Sequence, residues 1–246
     1  TGGNAARWKD EDMSDTFAAR AVSFIERSAG APFFLYLATH GIHVPRVPHP
    51  RFAGRSAGGT RGDAIEELDD LVAKVLATLA RLKLADNTLV IFTTDNGYFH
   101  AEHGLADKWY PHEESIRVPL IVRWPGQIQP GKVCDDLVDL SDFLPTLCEL
   151  TGAPLPTERI HGRSFAPQLF GRPGSPREWI HIQNGENRQV RNSRYMLSNT
   201  DQLRRVGELW EEPARPNADK NPAEEAEARR VLRDVFLSLD GSSVPR

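Results

Sequence analysis

The sequence predicts an α/β fold: a mostly parallel sheet flanked by helices, then a small α+β unit with an antiparallel sheet. Three observations predict it. Short solid apolar runs with β-branched or aromatic residues occupy 33–38, 88–94 and 119–124, as in strands of one sheet buried on both faces. Amphipathic stretches of helical period lie between them, the alternation that builds such a sheet. After about Gly171 the pattern changes to polar/apolar alternation, which suits a sheet with one wet face. The predicted boundaries are 1–171 and 172–246.

Each element follows from its own residues. In "SDTFAARAVSFIERSA" the residues Phe17, Ala21, Phe24 and Ile25 share one face; Ser14 is placed to cap the helix and Gly30 to end it. "FFLYLA" reads as the first strand. Residues 41–60 hold Pro45, Pro48 and Pro50 among several glycines, so they are expected to form a long surface loop. Next, Ile65, Leu68, Val72, Val75, Leu76, Leu79 and Leu82 recur at helical steps, and Asp63 with Glu66 has capping-box spacing. "TLVIFTT" and "PLIVRW" give two further strands. Ser141 is placed to cap "DFLPTLCELTG", which Gly152 ends. "EWIHIQNG" and "RQVRNSRYMLSNT" form the antiparallel pair, "EEPARPNADKNP" a linker, and "AEEAEARRVLRDVFLSL" a last helix with acids first and arginines after, as the helix dipole favours.

Composition excludes some functions. A net charge of −4 provides no basic footprint, so nucleic acid is not an expected partner. No apolar run reaches the ~20 residues of a membrane span. Cys134 and Cys148 form neither a disulfide framework nor a C-x-x-C pair and are expected to be core thiols. The chain begins at Thr1 in polar sequence, so the compartment stays open.

The chemistry gathers where apolar runs end. In "TTDNG" a strand stops at Asp95, Asn96 and Gly97. Asn-Gly is a strong hairpin signal, but "YFHAEHGLADK" does not alternate and offers no evident return strand. The better reading sets a carboxylate and a carboxamide oxygen side by side at a strand's carboxyl end, ligands suited to a hard cation such as Ca²⁺, with Mg²⁺ second. Gly97 would let the chain turn away. Similarly, His40 and His43 follow the run ending at Ala38. A lone histidine is more often packed or solvated than catalytic, but two strands ending in polar groups favour a site. Glu113 and Arg117 read as a structural ion pair, and His103 as a residue at a pocket mouth.

Taken together, "PFFLYLATHGIHVP", "GDAIEELDDLVAKVLATLARLKLADNTLVIFTTDNG", "HGLADKWYPHEESIRVPLIVRWPGQIQPG", "DDLVDLSDFLPTLCELTGAPLP" and "HGRSFAPQLFG" resemble, in order, the sulfatase family of the alkaline phosphatase-like superfamily. The resemblance implies a hydrolase that releases sulfate from a sulfated carbohydrate or aryl sulfate. Asp95 and Asn96 match its Ca²⁺-binding Asp-Asn pair. His43, in His-x-Pro, matches its sulfate-contacting histidine, and Lys108 the lysine at the sulfate and leaving oxygen. His112 stands where the family commonly has an aromatic residue.

One departure bears on activity. The family attacks sulfur with a formylglycine made from the Cys or Ser of C/S-x-P-x-R, and these 246 residues contain no such segment. That segment and the paired aspartates of the metal site are expected upstream of Thr1, so the chain reads as the C-terminal portion of a sulfatase, inactive alone. The alternatives are a phosphodiesterase or phosphonate monoester hydrolase of the same superfamily, in which Asp-His more often replaces Asp-Asn, and a non-catalytic carbohydrate-binding pseudoenzyme fragment.

Overall fold

A computed structural model describes residues 3, 7–207 and 221–241. Two compact units emerge, Thr1–Leu89 with Trp124–Gln127, and Val90–Arg123 with Ile128–Arg246. The predicted linker falls almost wholly on 208–220, outside the described residues.

The first unit is a helix pair, α1 (Met13–Ser28) against α2 (Gly59–Arg81). Ala18, Ala21 and Ile25 of α1 and Ala64, Leu71 and Leu79 of α2 are buried. Fully burying a side chain such as Ile25 or Leu79 is worth about 1.5–3 kcal/mol. The α2 stripe is rotated from the predicted one, so that Leu71 is buried while Ile65 is exposed. Charged groups seal the rim. Arg51, from the 41–58 segment, reaches Asp15 of α1 at 2.7 Å and Asp70 of α2 at 3.2 Å, and Lys74 meets both acids at 2.8 Å.

Two predicted caps do other work. Ser14 lies inside α1, whose N-cap is Asp12. Asp63 lies within α2, which begins four residues earlier, and its carboxylate accepts the backbone N–H groups of Gly54 (2.9 Å) and Ser56 (2.8 Å). The loop ahead of the helix supplies donors that outcompete the helix's own first turn. Glu66, the other half of the predicted box, pairs with Arg55 at 3.3 Å.

Residues 33–38 are not a strand, contrary to expectation. They alternate between half-buried (Phe33, Leu35, Leu37) and exposed (Phe34, Tyr36, Ala38), as extended chain does, but have no ladder partner among the described residues. Phe34 is 73% and Tyr36 81% exposed.

The second unit holds the sheets. β1 (Val90–Thr93) pairs with β4 (Leu120–Arg123), from Val90↔Arg123 to Thr93↔Leu120. Both were expected as strands, but the pairing is antiparallel, as in every sheet among the described residues. The reason lies between them. A parallel pair needs a crossover of a dozen or more residues that carries the chain back along the strand, usually a helix. Here a small hairpin, β2 (Phe99–His100) with β3 (Ala106–Asp107), and the single turn α3 (Glu113–Ile116) return the chain at the end where β1 left it.

Helix α4 (Phe143–Thr151) ends at Gly152, whose φ of 72° is the left-handed conformation glycine tolerates best. The 3₁₀ turn Leu140–Asp142 that leads into it is capped by Asp139, not Ser141: Asp139 accepts from Ser141 N while Asp142 accepts from Asp139 N at 2.8 Å. Asp142, 1% exposed, also takes Arg163 N at 2.7 Å and the Arg177 guanidinium at 2.8 Å, so one carboxylate fastens three segments. Cys148 is buried as expected, whereas Cys134 is exposed, lying in irregular chain without apolar periodicity.

A short helix α5 (Ala166–Leu169) leads to the antiparallel sheet β5 (Ile180–Asn184), β6 (Asn187–Arg191), β7 (Tyr195–Ser198) and β8 (Leu203–Arg205), paired in sequence order. One face carries Val190, Tyr195 and Leu197 into Ala228, Leu232 and Phe236 of α6 (Pro222–Gly241). Among the described residues no helix is long and apolar enough to cross a membrane.

Candidate active site

Asp95, Asn96 and Lys108 lie in the second unit and His43 in the first. Asp95 is exposed and Asn96 half-buried just past β1, the strand end predicted for them. Asp95 Oδ1 accepts from Asn96 N (3.0 Å) and the Thr94 hydroxyl (3.2 Å), a local turn that orients the carboxylate. The chemistry of this donor pair, all oxygen with one negative charge, fits a hard cation. The pair is not a complete site: among the described residues no group of three or more His, Cys, Asp or Glu side chains could hold a metal ion.

Gly97 is required for a different reason from the expected sharp turn. Its φ is not in the left-handed region; instead its N–H donates to Ser115 O and the next, Tyr98 N–H, to Glu114 O, both at 2.8 Å. A Cβ at Gly97 would lie 1.9 Å from Glu114 O. The TTDNG segment is thus docked flush on α3, where only hydrogen fits.

The residues after Gly97, which do not alternate, still pair briefly. Phe99 stands opposite Asp107 and His100 opposite Ala106, and Lys108 follows directly after β3. The turn between the strands holds Ala101 (φ 86°) and His103 (φ 58°), and Asp107 (φ 69°) precedes Lys108, three non-glycine residues in left-handed backbone within seven positions. Phe99, fully buried, is the hairpin's anchor.

His103 is held in a side-chain pair. Its Nε2 meets Glu114 Oε1 at 2.9 Å, with both side chains nearly buried, and its ring lies 5.3 Å from that of His112. Burial, and then the neighbouring His103, push the His112 imidazole below the usual histidine range. Glu113 is paired with Arg191 of β6 rather than with Arg117, whose backbone N–H donates to Glu113 O.

In the first unit His43 is exposed and its Nδ1 lies 2.7 Å from Val44 O. His40 lines a shallow pocket with Asp10, Ser14, Thr39 and Glu67. Glu67 is buried and accepts His49 N at 3.1 Å; burial raises its carboxyl above the usual range.

The order of these segments agrees with a family-wide match: the sulfatase family profile covers residues 3–153, well over half of the chain. The chain belongs to the sulfatase family. A second profile, that of the C-terminal part of N-sulphoglucosamine sulphohydrolase, covers 101–236. Among curated sulfatases, the chain is 40% identical to an N-acetylgalactosamine-6-O-sulfatase of Bacteroides thetaiotaomicron, over 76% of this chain and 40% of that one. It is also 40% identical to human arylsulfatase A, over 60% of this chain and 30% of that one. A solved structure from work on glycosaminoglycan metabolism by Bacteroides thetaiotaomicron superposes with a TM-score of 0.76 at 31% identity, covering 96% of this chain and 56% of that chain. A sulfatase from Pseudoalteromonas gives a TM-score of 0.66 at 27% identity, covering 76% of this chain and 40% of that one. The chain therefore spans well under half the length of the curated sulfatases it matches.

Within this sulfatase unit, sequence reasoning missed Glu114 and Asp142. Asp142 had a signal, since Asp139 lies at capping-box spacing before it. Glu114 had none: its main contact, His103, lies across a hairpin that no periodicity announces.

Proposed function

We propose that the chain is the C-terminal portion of a sulfuric ester hydrolase that releases sulfate from a sulfated carbohydrate or an aryl sulfate. What supports this reading is the sulfatase family match over residues 3–153, together with an Asp-Asn pair just past β1 and a lysine just past β3, all in the second unit. In a sulfate ester, oxygens of a bound anion need positive charge, and the departing alkoxide needs charge stabilisation or a proton as the S–O bond breaks. Lys108 is assigned to the leaving oxygen and His43 to the sulfate oxygens. Asp95 and Asn96 are assigned as two ligands of Ca²⁺, with Mg²⁺ second; when bound, such an ion supplies charge to the sulfate oxygens. Ca²⁺ takes about six to eight oxygen ligands, so further ones would come from a longer chain. The attacking group, expected as a formylglycine, would also lie in that longer chain.

The runner-up is phosphodiester or phosphonate ester hydrolysis. Asn96 weighs against it, since a histidine there would suit softer metals than Ca²⁺. The reading is tested on the full-length natural protein by comparing an aryl sulfate, a sulfated N-acetylhexosamine, a phosphodiester and a phosphonate monoester. Faster turnover of either sulfate is expected; faster turnover of a phosphorus ester would replace this reading with the runner-up, and turnover of none would leave a pseudoenzyme.

A further inference from the structure

Lys108 follows a hairpin that has little to hold its shape. Its ladder is two residue pairs long, far short of what sustains an isolated hairpin in water. Three non-glycine residues in left-handed backbone add strain, one of them next to Lys108 itself. Such strain persists only where the surroundings over-determine it. Those surroundings include one residue that grips the hairpin twice. Glu114 O accepts the N–H of Tyr98 at the hairpin base, and Glu114 Oε1 meets His103 Nε2 at the tip. The side chains of His103 and Glu114 are 13% and 8% exposed, so little water competes for the contact. Phe99 and His112, with ring centroids 6.1 and 5.3 Å from that of His103, close its other sides.

We propose that Glu114 is a positioning residue for Lys108: its main chain fixes the base of the hairpin and its carboxylate fixes the tip, so the lysine that follows is presented in one place. The role of Lys108 rests on the sulfatase reading above; the tether itself does not. Removing the carboxylate should release the tip while leaving the base hydrogen bond, which belongs to the backbone. A positioned charge displaced by about 1 Å can cost as much as ~10²-fold in rate. That cost should fall where the leaving oxygen most needs the charge.

The test uses the full-length enzyme with Glu114→Ala, Glu114→Gln and His103→Asn; Asn tolerates the left-handed backbone that His103 adopts. For Glu114→Ala, kcat/KM should fall by at least about tenfold on an alkyl or carbohydrate sulfate, and by less than about threefold on 4-nitrophenyl sulfate, whose leaving group needs little help. Glu114→Gln, which keeps an oxygen acceptor of the same reach, should stay near wild type. Amide exchange of 101–105 should accelerate in Glu114→Ala while Gly97 and Tyr98 stay protected. Equal losses on both sulfates, or unchanged exchange at 101–105, would overturn the proposal. His103→Asn should reproduce the pattern if Glu114→Ala does not fold; wild-type rates and exchange in it would likewise overturn it. If wild type turns over neither sulfate, the sulfatase reading fails by itself, and exchange alone decides the tether.

Discussion

Gly97 lies flush against the Glu114 carbonyl, just after the Asp95-Asn96 pair at the end of β1. Asp95 and Asn96 drew attention because an apolar run ends there in a carboxylate and an amide, whereas Lys108 was singled out only through the family resemblance. The identity of Gly97 was legible but its reason was not, since close approach of a distant backbone leaves no local trace in sequence. Gly97→Ala should therefore be more harmful than a loop glycine suggests. The added methyl must displace the Glu114 carbonyl, and forced overpacking of this kind costs about 1–3 kcal/mol; a chemical-denaturation midpoint equal to wild type would refute the close-contact account. In the full-length enzyme, Lys108→Ala should lower hydrolysis of an alkyl or carbohydrate sulfate by at least ~10²-fold, because it removes a positioned charge where negative charge develops on the leaving oxygen. Asp95→Ala should act through metal loss, with activity partly restored by excess Ca²⁺. A Ca²⁺-independent defect would break the assignment of Asp95 as a ligand.

Among the elements, helices were read more reliably than strands. α1, α2, α4 and α6 each display an apolar stripe over at least two turns, a signal that survives errors at the ends. The strand expectation for 33–38 failed because a buried run and an extended segment awaiting a neighbour look alike in sequence; pairing is a long-range property. Caps were misjudged for a related reason: Asp63 satisfies donors of the preceding loop instead of its own helix. That loop makes an electrostatic prediction. Asp15 is held well below the usual carboxylate range, first by the Arg51 guanidinium, Asp70 is lowered first by Lys74, and Asp63 by the backbone N–H of Ser56 and then Gly54. A depressed pKa means the folded state keeps its contribution above the ordinary aspartate value near 3.8 and loses it as pH falls toward the lower folded values. Glu67 has the opposite sign. Its raised pKa makes the ionised folded form costly at neutral pH, and acidification relieves that cost. The 49–56 loop should thus hold or tighten from pH 7 to about 5 and loosen only below about 3 to 4. Amide exchange at Gly54 and Ser56, corrected for the intrinsic rate, measures this, and Asp63→Asn should lose the protection already at pH 7. Protection in Asp63→Asn matching wild type would show that the carboxylate does not hold the loop.

For the whole molecule, the order of motifs was more legible than the pairing of sheets. Five segments in sequence order identify a family because their joint occurrence is improbable, whereas strand direction depends on whether the intervening chain crosses back, which the 26 residues between β1 and β4, with only a two-pair hairpin and one helical turn, do not announce. The chain spans about two-fifths of one curated sulfatase and 56% of a solved structure it resembles. Its exposed apolar surface bears on how residues 1–246 behave alone. Phe34 and Tyr36 project from an extended segment with no ladder partner among the described residues. Large exposed apolar side chains close together in sequence mark an interface or an aggregation liability. Expressed alone, residues 1–246 should bind a hydrophobic dye, form soluble aggregates at rising concentration, and bind Ca²⁺ weakly through only Asp95 and Asn96. They should also hydrolyse no aryl sulfate, since the sequence holds no C/S-x-P-x-R segment. Size-exclusion chromatography, dye fluorescence and a sulfate assay with and without Ca²⁺ test these points together. A monodisperse monomer without dye binding would mean that the Phe34/Tyr36 surface needs no cover. Turnover above a Lys108→Ala control would mean that a nucleophile lies within these 246 residues, and the assignment of catalysis to a longer chain would have to be abandoned.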